Sequence, residues 1–354
     1  MIRRTAFKEL SNHSRRGLLK KVFTKILVNL FSKNIKNSVE LNYLKKAELT
    51  NYKIISESLT FSINQNSSEY IQFSQTFEPR FLITIEDATI DTKTGFVFLG
   101  NKEAGFRFLE FSSEWPKEAI GNTIMLPRTS EIDYIESASI GLPSINYFHL
   151  ITHWLGRVVA SATPLNPILQ TPSSHSLSCE ILELYNLPFI KSPSRWVKVR
   201  NLSLVNATKI GYLHPKDKEN ITKPTIKEQS KEIDIYISRK RSSRTLPEES
   251  RIEASMSKRG FEVIYSEDLD LHTQIKLFSK ARTIVAPHGA GLVNAIFAQK
   301  KSKIIEIMPS YRFNRCYEWQ SSICNQHYTR IMYDQHVSPH DLIKMINSKL
   351  DEYE

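Results

Sequence analysis

The residues best placed to do chemistry lie in Ala286–Pro309, APHGAGLVNAIFAQKKSKIIEIMP. His288-Gly-Ala-Gly291 interrupts two apolar, β-branched runs. Thr283–Pro287 reads as a buried strand, Leu292–Ala298 as a helix, and Lys303–Met308 as a second buried strand stopped by Pro309. A βαβ unit with a glycine-rich first turn aims free amides and a helix N-terminus at an anion. Gly289 and Gly291 carry no Cβ, so backbone there can approach a ligand closely. His288 falls at a strand's C-terminal end, and Glu306 falls inside an otherwise apolar strand. A carboxylate in that setting must be hydrogen-bonded or paired, or it costs several kcal/mol. Sugar hydroxyls or a cation would satisfy it.

Three further groups of residues could act with this turn. Ser238-Arg-Lys-Arg-Ser-Ser-Arg244 follows the predicted strand Ile233–Ser238 and collects cations at a strand end. Arginines so placed suit a diphosphate, and Arg239 and Arg244 bracket the loop. His149 and His153 lie four apart in Ile145–Ser161, whose helical spacing puts them on one face. They can line a cleft, sit satisfied in a core, or begin a metal site, but the HExxH glutamate and a third ligand are missing. Asp268-Leu-Asp270 resembles a metal-holding DxD pair, yet it directly precedes the helix Leu271–Lys280, where an aspartate caps free amides. We read it as a cap. No GxSxG elbow accompanies the HGAG turn, which argues against an esterase, and no GxGxxG fingerprint supports a dehydrogenase.

The elements that must hold these groups follow from the pattern. After Ile233 the chain alternates strand and helix: Pro247–Arg259 is a helix, Phe261–Tyr265 a strand, Tyr328–Tyr333 a strand and Pro339–Leu350 a helix. Such alternation predicts a parallel, doubly wound sheet that binds ligands at its strand C-termini. Upstream, Arg80–Glu86, Ala88–Asp91 and Phe96–Leu99 read as strands, as do Phe189–Ile190 and Trp196–Val199, with Cys179–Tyr185 helical. The charged, proline-bearing stretch 214–232 reads as an interdomain linker. The 354 residues suit two domains behind a basic arm: 1–46, 47–225 and 226–354, with the last helix a candidate to return to the first domain.

Charge is concentrated in that arm. Residues 1–46 hold +10 of the formal net charge of +11, so the body is nearly neutral and does not read as a nucleic-acid binder. Leu18, Leu19, Val22, Phe23, Ile26, Leu27, Leu30 and Phe31 would form one apolar face of a helix, with Arg15, Arg16, Lys20, Lys21 and Lys25 near the other. That combination fits an anionic membrane surface, or docking on this protein's own body or a partner. No apolar run reaches the ~20 residues of a membrane span, and no signal-peptide pattern opens the chain. Cys179, Cys316 and Cys324 show no metal spacing, and a reducing, cytoplasmic setting is the simpler expectation.

Taken together, Arg239…Arg244 with Glu248, then Gln274, His288-Gly-Ala-Gly-Leu292, Asn294, Phe297 and Glu306 resemble glycosyltransferase family 61. Asn146-Tyr-Phe-His149 resembles that family's first-domain motif, although His153 stands where the motif commonly has an aspartate. The resemblance is dense over 233–310, thinner over 80–200, and does not reach the arm. It implies an α/β fold of GT-B type, with two Rossmann-like domains facing a cleft. It also implies inverting, metal-independent hexosyl or pentosyl transfer from a nucleotide-sugar donor to a saccharide or lipid-linked acceptor. By the same resemblance Arg239 and Arg244 neutralise the leaving diphosphate, and His288, Gly289, Ala290 and Gly291 approach it. Asn294 and Glu306 join the donor site, with Glu306 facing the donor's ribose; an inverting transfer also needs a base, for which His149, His153 or a carboxylate such as Asp133 or Glu136 is a candidate. No cofactor or metal is expected. The bacterial members it resembles work in capsule or lipopolysaccharide synthesis, which the arm would serve at the inner face of the membrane. A non-catalytic nucleotide-sugar-binding protein of the same fold is the rival reading.

Overall fold

The structure is a computed structural model that describes residues 52–56, 59–63, 73–77, 80–92, 96–99, 105–107, 132–140, 146–170, 176–205, 212–223, 232–242, 244–334 and 336–353. The basic arm lies outside them.

Two sheets organise these residues. The first contains β1 (Tyr52–Ser56), β4 (Arg80–Asp91), β5 (Phe96–Leu99), β6 (Gly105–Arg107), β7 (Ile132–Ile140), β8 (Ile168–Gln170), β9 (Phe189–Lys191) and β10 (Trp196–Val205), while β2 (Leu59–Ile63) and β3 (Phe73–Phe77) pair separately. Its order is β6-β5-β4-β10-β7-β8-β9: β10, β7, β8 and β9 run parallel, and β4 joins β10 antiparallel. The sequence breaks β4 at Asp87, yet the strand runs through it, because Asp87 takes φ 52° and the ladder resumes on both sides. Strands β7 and β8 were not legible: the residues of β7 that keep surface toward solvent hide the apolar signal.

The second sheet is wholly parallel. Its strands β11 (Ile233–Ile237), β12 (Glu262–Ile264), β13 (Ala281–Pro287), β14 (Lys303–Pro309) and β15 (His327–Tyr333) run in the order β12-β11-β13-β14-β15. This is the doubly wound order in which the chain reverses direction between β11 and β13, leaving a crevice beyond their C-terminal ends. Both faces are covered, as a continuous apolar run requires. Tyr236, Val285, Ile305, Ile307 and Ile331 pack under one layer, while Ile235, Ile237, Ile284, Ala286 and Ile304 face the other.

Helix α1 runs from Tyr147–His149 through a π-helical stretch, Leu150–Leu155, into Gly156–Ser161. Helices α2 (Ser176–Leu184), α3 (Pro215–Ile221), α4 (Glu249–Lys258), α5 (Leu271–Ser279), α6 (Cys316–Ile323) and α7 (Pro339–Asp351) complete the described set. The stretch expected to be linker begins with α3. His214 caps it, Pro215 opens it, and buried Asp217 pairs with buried Arg80. Helix α7 stays on the second sheet, where Leu342, Ile346 and Leu350 join Ile331. One continuous apolar cluster joins the two sheets through Leu150, Trp154, Leu271, Phe297 and Trp319, so they are bonded into a single body.

Candidate functional site

The crevice between β11 and β13 gathers the sequence's candidates. Arg239 leaves the end of β11 and donates from Nη1 to the carbonyl of His288, which directly follows β13. A Cβ on Gly289 would lie 2.6 Å from that Nη1 and 2.9 Å from Cζ, so any larger residue there would push the guanidinium aside. Gly291 faces Ser266, whose Oγ would be 3.2 Å from a Cβ there. The expected helix begins earlier and winds tighter: Ala290–Phe297 is a 3-10 helix, opened by the Leu292 amide on the Gly289 carbonyl at 3.1 Å.

Glu249, the neighbour of the Glu248 quoted in the family resemblance, fixes the arginine loop. Its carboxylate is buried and accepts from the Tyr236 hydroxyl (2.7 Å), the Arg239 amide (3.0 Å), the Leu246 amide (2.7 Å) and Thr245 (3.1 Å). Glu248 is exposed, in the left-handed region, and pairs with Arg251. The legible signal was a glutamate three residues after the amide it reaches back to, half of a capping box. Arg244 is exposed, with no acidic partner among the described residues. Burial, then the charge of nearby Arg244, pushes the Arg239 guanidinium down from its ordinary value. Two cations held close at a strand end, one without an acid, form a site that an anion relieves.

Glu306 is placed behind the turn and not at its surface. It is fully buried: Oε1 contacts His288 Nδ1 at 2.5 Å, and Oε2 accepts from the Tyr328 hydroxyl. The sheet register sets Glu306 opposite Arg330, whose Nε lies 3.0 Å from the Tyr328 oxygen and whose Nη2 donates to Glu318 at 3.0 Å. Both oxygens are engaged internally, and Glu306 meets the crevice through His288.

Asn294 is likewise internal. It is fully buried, accepting from the Tyr147 hydroxyl at 2.6 Å and donating to Gln274 at 2.5 Å, while Gln274 bonds the carbonyls of Ser266 and Leu269. It ties α1 to the second sheet. Asp270 caps α5 through the Thr273 amide at 2.7 Å, as read from the sequence, and Asp268 pairs with Arg241. Among the described residues no cluster of His, Cys, Asp and Glu is arranged to hold a metal ion.

The histidines of α1 stack as their spacing requires, with ring centroids 5.1 Å apart. Phe148 lies against both, and its ring meets Tyr317 at 5.5 Å; Tyr317 meets His288 at 5.6 Å and donates to the Gly289 carbonyl at 2.5 Å. A row of rings thus links the two sheets across the crevice. His153 is 4 % exposed and is pushed down to about 3, by burial first and then by His149, Arg157 and Arg80. Burial also lowers half-buried His149. An imidazole held as far down as that of His153 is a poor proton acceptor.

With this geometry in view, residues 147–305 match the family model described as Glycosyltransferase 61. That segment, a little under half of the chain, is therefore similar to glycosyltransferase family 61. It runs from α1 to β14, across both sheets, and includes both α1 histidines, Arg239, Arg244 and the HGAG turn. No curated protein sequence matches the chain. The similarity is to proteins described as glycosyltransferases. No helix among the described residues is long and apolar enough to cross a membrane.

Proposed function

We propose that this chain is an inverting, metal-independent transferase that moves a hexosyl or pentosyl group from a nucleotide-sugar to a saccharide or lipid-linked saccharide. The observation that carries the reading is the Arg239–Arg244 pair at the reversal point of the parallel sheet, with Gly289 cleared for Arg239. A departing nucleoside diphosphate develops negative charge, and fixed guanidiniums with the amides of the HGAG turn stabilise it without reorganising. They supply the charge that a divalent cation supplies elsewhere. The two sheets act as the lobes of a GT-B arrangement, with the donor at the second sheet and the acceptor arriving along α1. In this reading the arm 1–46 holds the enzyme at the cytoplasmic face of a membrane, where surface polysaccharide such as capsule or lipopolysaccharide is assembled.

The test is release of nucleoside diphosphate from a panel of nucleotide sugars with saccharide acceptors. Turnover with one donor, at least a hundredfold slower in Arg239→Ala, supports the reading; a parent protein that turns over none of them refutes it. Deleting residues 1–46 should abolish binding to anionic vesicles, and a parent that leaves such vesicles unbound refutes the membrane assignment.

A further inference from the structure

His288, Glu306, Tyr328, Arg330 and Glu318 form a chain of polar contacts from the crevice into the second sheet, and all but His288 lie beyond the matched segment. We propose that His288 is the base of the transfer step and that Glu306 and Tyr328 are positioning residues that keep its proton on Nδ1. This inference rests on the transferase reading above.

The argument starts from donors and acceptors. The 2.5 Å contact between Glu306 Oε1 and His288 Nδ1 is of hydrogen-bond length, and with the carboxylate as acceptor the nitrogen is the donor. The other carboxylate oxygen takes the Tyr328 hydroxyl, and Arg330 Nε lies 4.0 Å from it. Arg330 and Arg315 balance Glu318, at 3.0 and 3.6 Å, so each buried carboxylate has a guanidinium beside it. The remaining ionisable neighbours stay protonated and neutral, because burial pushes Tyr317, Tyr328 and Cys316 well above their ordinary values. With Nδ1 engaged, Nε2 is the free edge of the ring. No described residue bonds it, and the side chain keeps 17 % of its surface exposed. A carboxylate behind an imidazole whose far nitrogen faces a cleft is the orientation that makes histidine a proton acceptor.

Location agrees. His288 stands where the ring of Tyr317, carrying Phe148 of α1, meets the turn that Arg239 holds. In the step, the acceptor oxygen bonds to the sugar's anomeric carbon as the carbon–oxygen bond to the diphosphate breaks. The bonding pair leaves with the diphosphate, and the acceptor's proton moves to Nε2. His153, by contrast, is pushed down to about 3 by its burial, and burial lowers His149 as well.

Nitrogen NMR of His288 in the full-length protein, without substrate, reads the tautomer directly. Nδ1–H in the parent and loss of that state in Glu306→Gln are expected; Nε2–H in the parent overturns the proposal, and needs no variant to fold. Steady-state kinetics with UDP-glucose, UDP-N-acetylglucosamine and GDP-mannose as probes supply the second arm. In His288→Asn and Glu306→Gln, kcat should fall about 10²- to 10⁴-fold with donor KM little changed. A raised KM with kcat intact assigns both residues to binding and overturns the proposal. A parent that turns over no donor refutes the transferase reading and the base role with it, while the tautomer alone still decides whether Glu306 positions His288.

Discussion

Acidification should unfold this protein through His153. The unfolded chain takes up a proton at the ordinary histidine value of 6.5, whereas the folded chain refuses it until about 3. A depressed histidine leaves stability intact above 6.5 and removes it progressively as pH falls toward 3. Linkage between those two values costs about 2 kcal/mol at about pH 5. For a chain of this size that amounts to about 3 °C of melting temperature. The half-buried His149 is shifted in the same direction and adds to it. The assay is thermal unfolding of the parent and of His153→Gln between about pH 7 and about pH 5, comparing slopes so that all other titrating groups cancel. The parent should lose about 2 kcal/mol more than the variant over that interval. Parallel curves would refute the burial argument and reopen His153 as a titrating group in the crevice.

Two substitutions probe how the turn and the sheets are held. Gly289→Ala puts a Cβ at 2.6 Å from Arg239 Nη1, so the guanidinium must move. Affinity for a nucleoside diphosphate should drop about tenfold, about 1.4 kcal/mol by calorimetry, with the fold unchanged. Tyr147→Phe removes the hydroxyl on Asn294 and leaves a buried amide oxygen short of its donor. Denaturant unfolding should show a loss of about 1–3 kcal/mol, and a neutral result would mean that the bond adds nothing to the joint between the sheets.

What the sequence disclosed, and what it hid, follows from the range of the interactions. The parallel sheet was legible because buried strands leave continuous apolar runs and its helices fall regularly between them, and the cap at Asp270 is a contact only three residues long. That Arg239 and the HGAG turn share one place in the fold was legible because strand ends and glycines carry local meaning. Glu306 was recognised as a buried carboxylate that needs partners, but its partners come from β13 and β15, which sequence distance conceals. The same holds for Asn294, committed to Tyr147 from 147 residues away, and for Asp217, which turns a charged stretch into a packed helix by pairing with Arg80. The π-helical turn at Leu150–Leu155 has no residue signature, since it changes which carbonyl each amide meets and leaves the apolar spacing nearly helical. Helix α6 went unread although its side chains are almost all buried, because Glu318 and Gln320 satisfy themselves on Arg330 and the Val293 carbonyl and so mimic a polar surface segment.

The central claim is that the crevice beyond β11 and β13 holds a nucleoside diphosphate on Arg239 and Arg244. Melting-temperature shifts with UDP, GDP, CDP and ADP, for the parent, Arg239→Ala and Arg244→Ala, test it most directly. A nucleotide at ~100-fold its Kd adds about 2.7 kcal/mol to the parent. The account predicts such a shift with one nucleotide, lost in Arg239→Ala and reduced in Arg244→Ala. A shift that survives in Arg239→Ala, or no shift with any of the four, would contradict it.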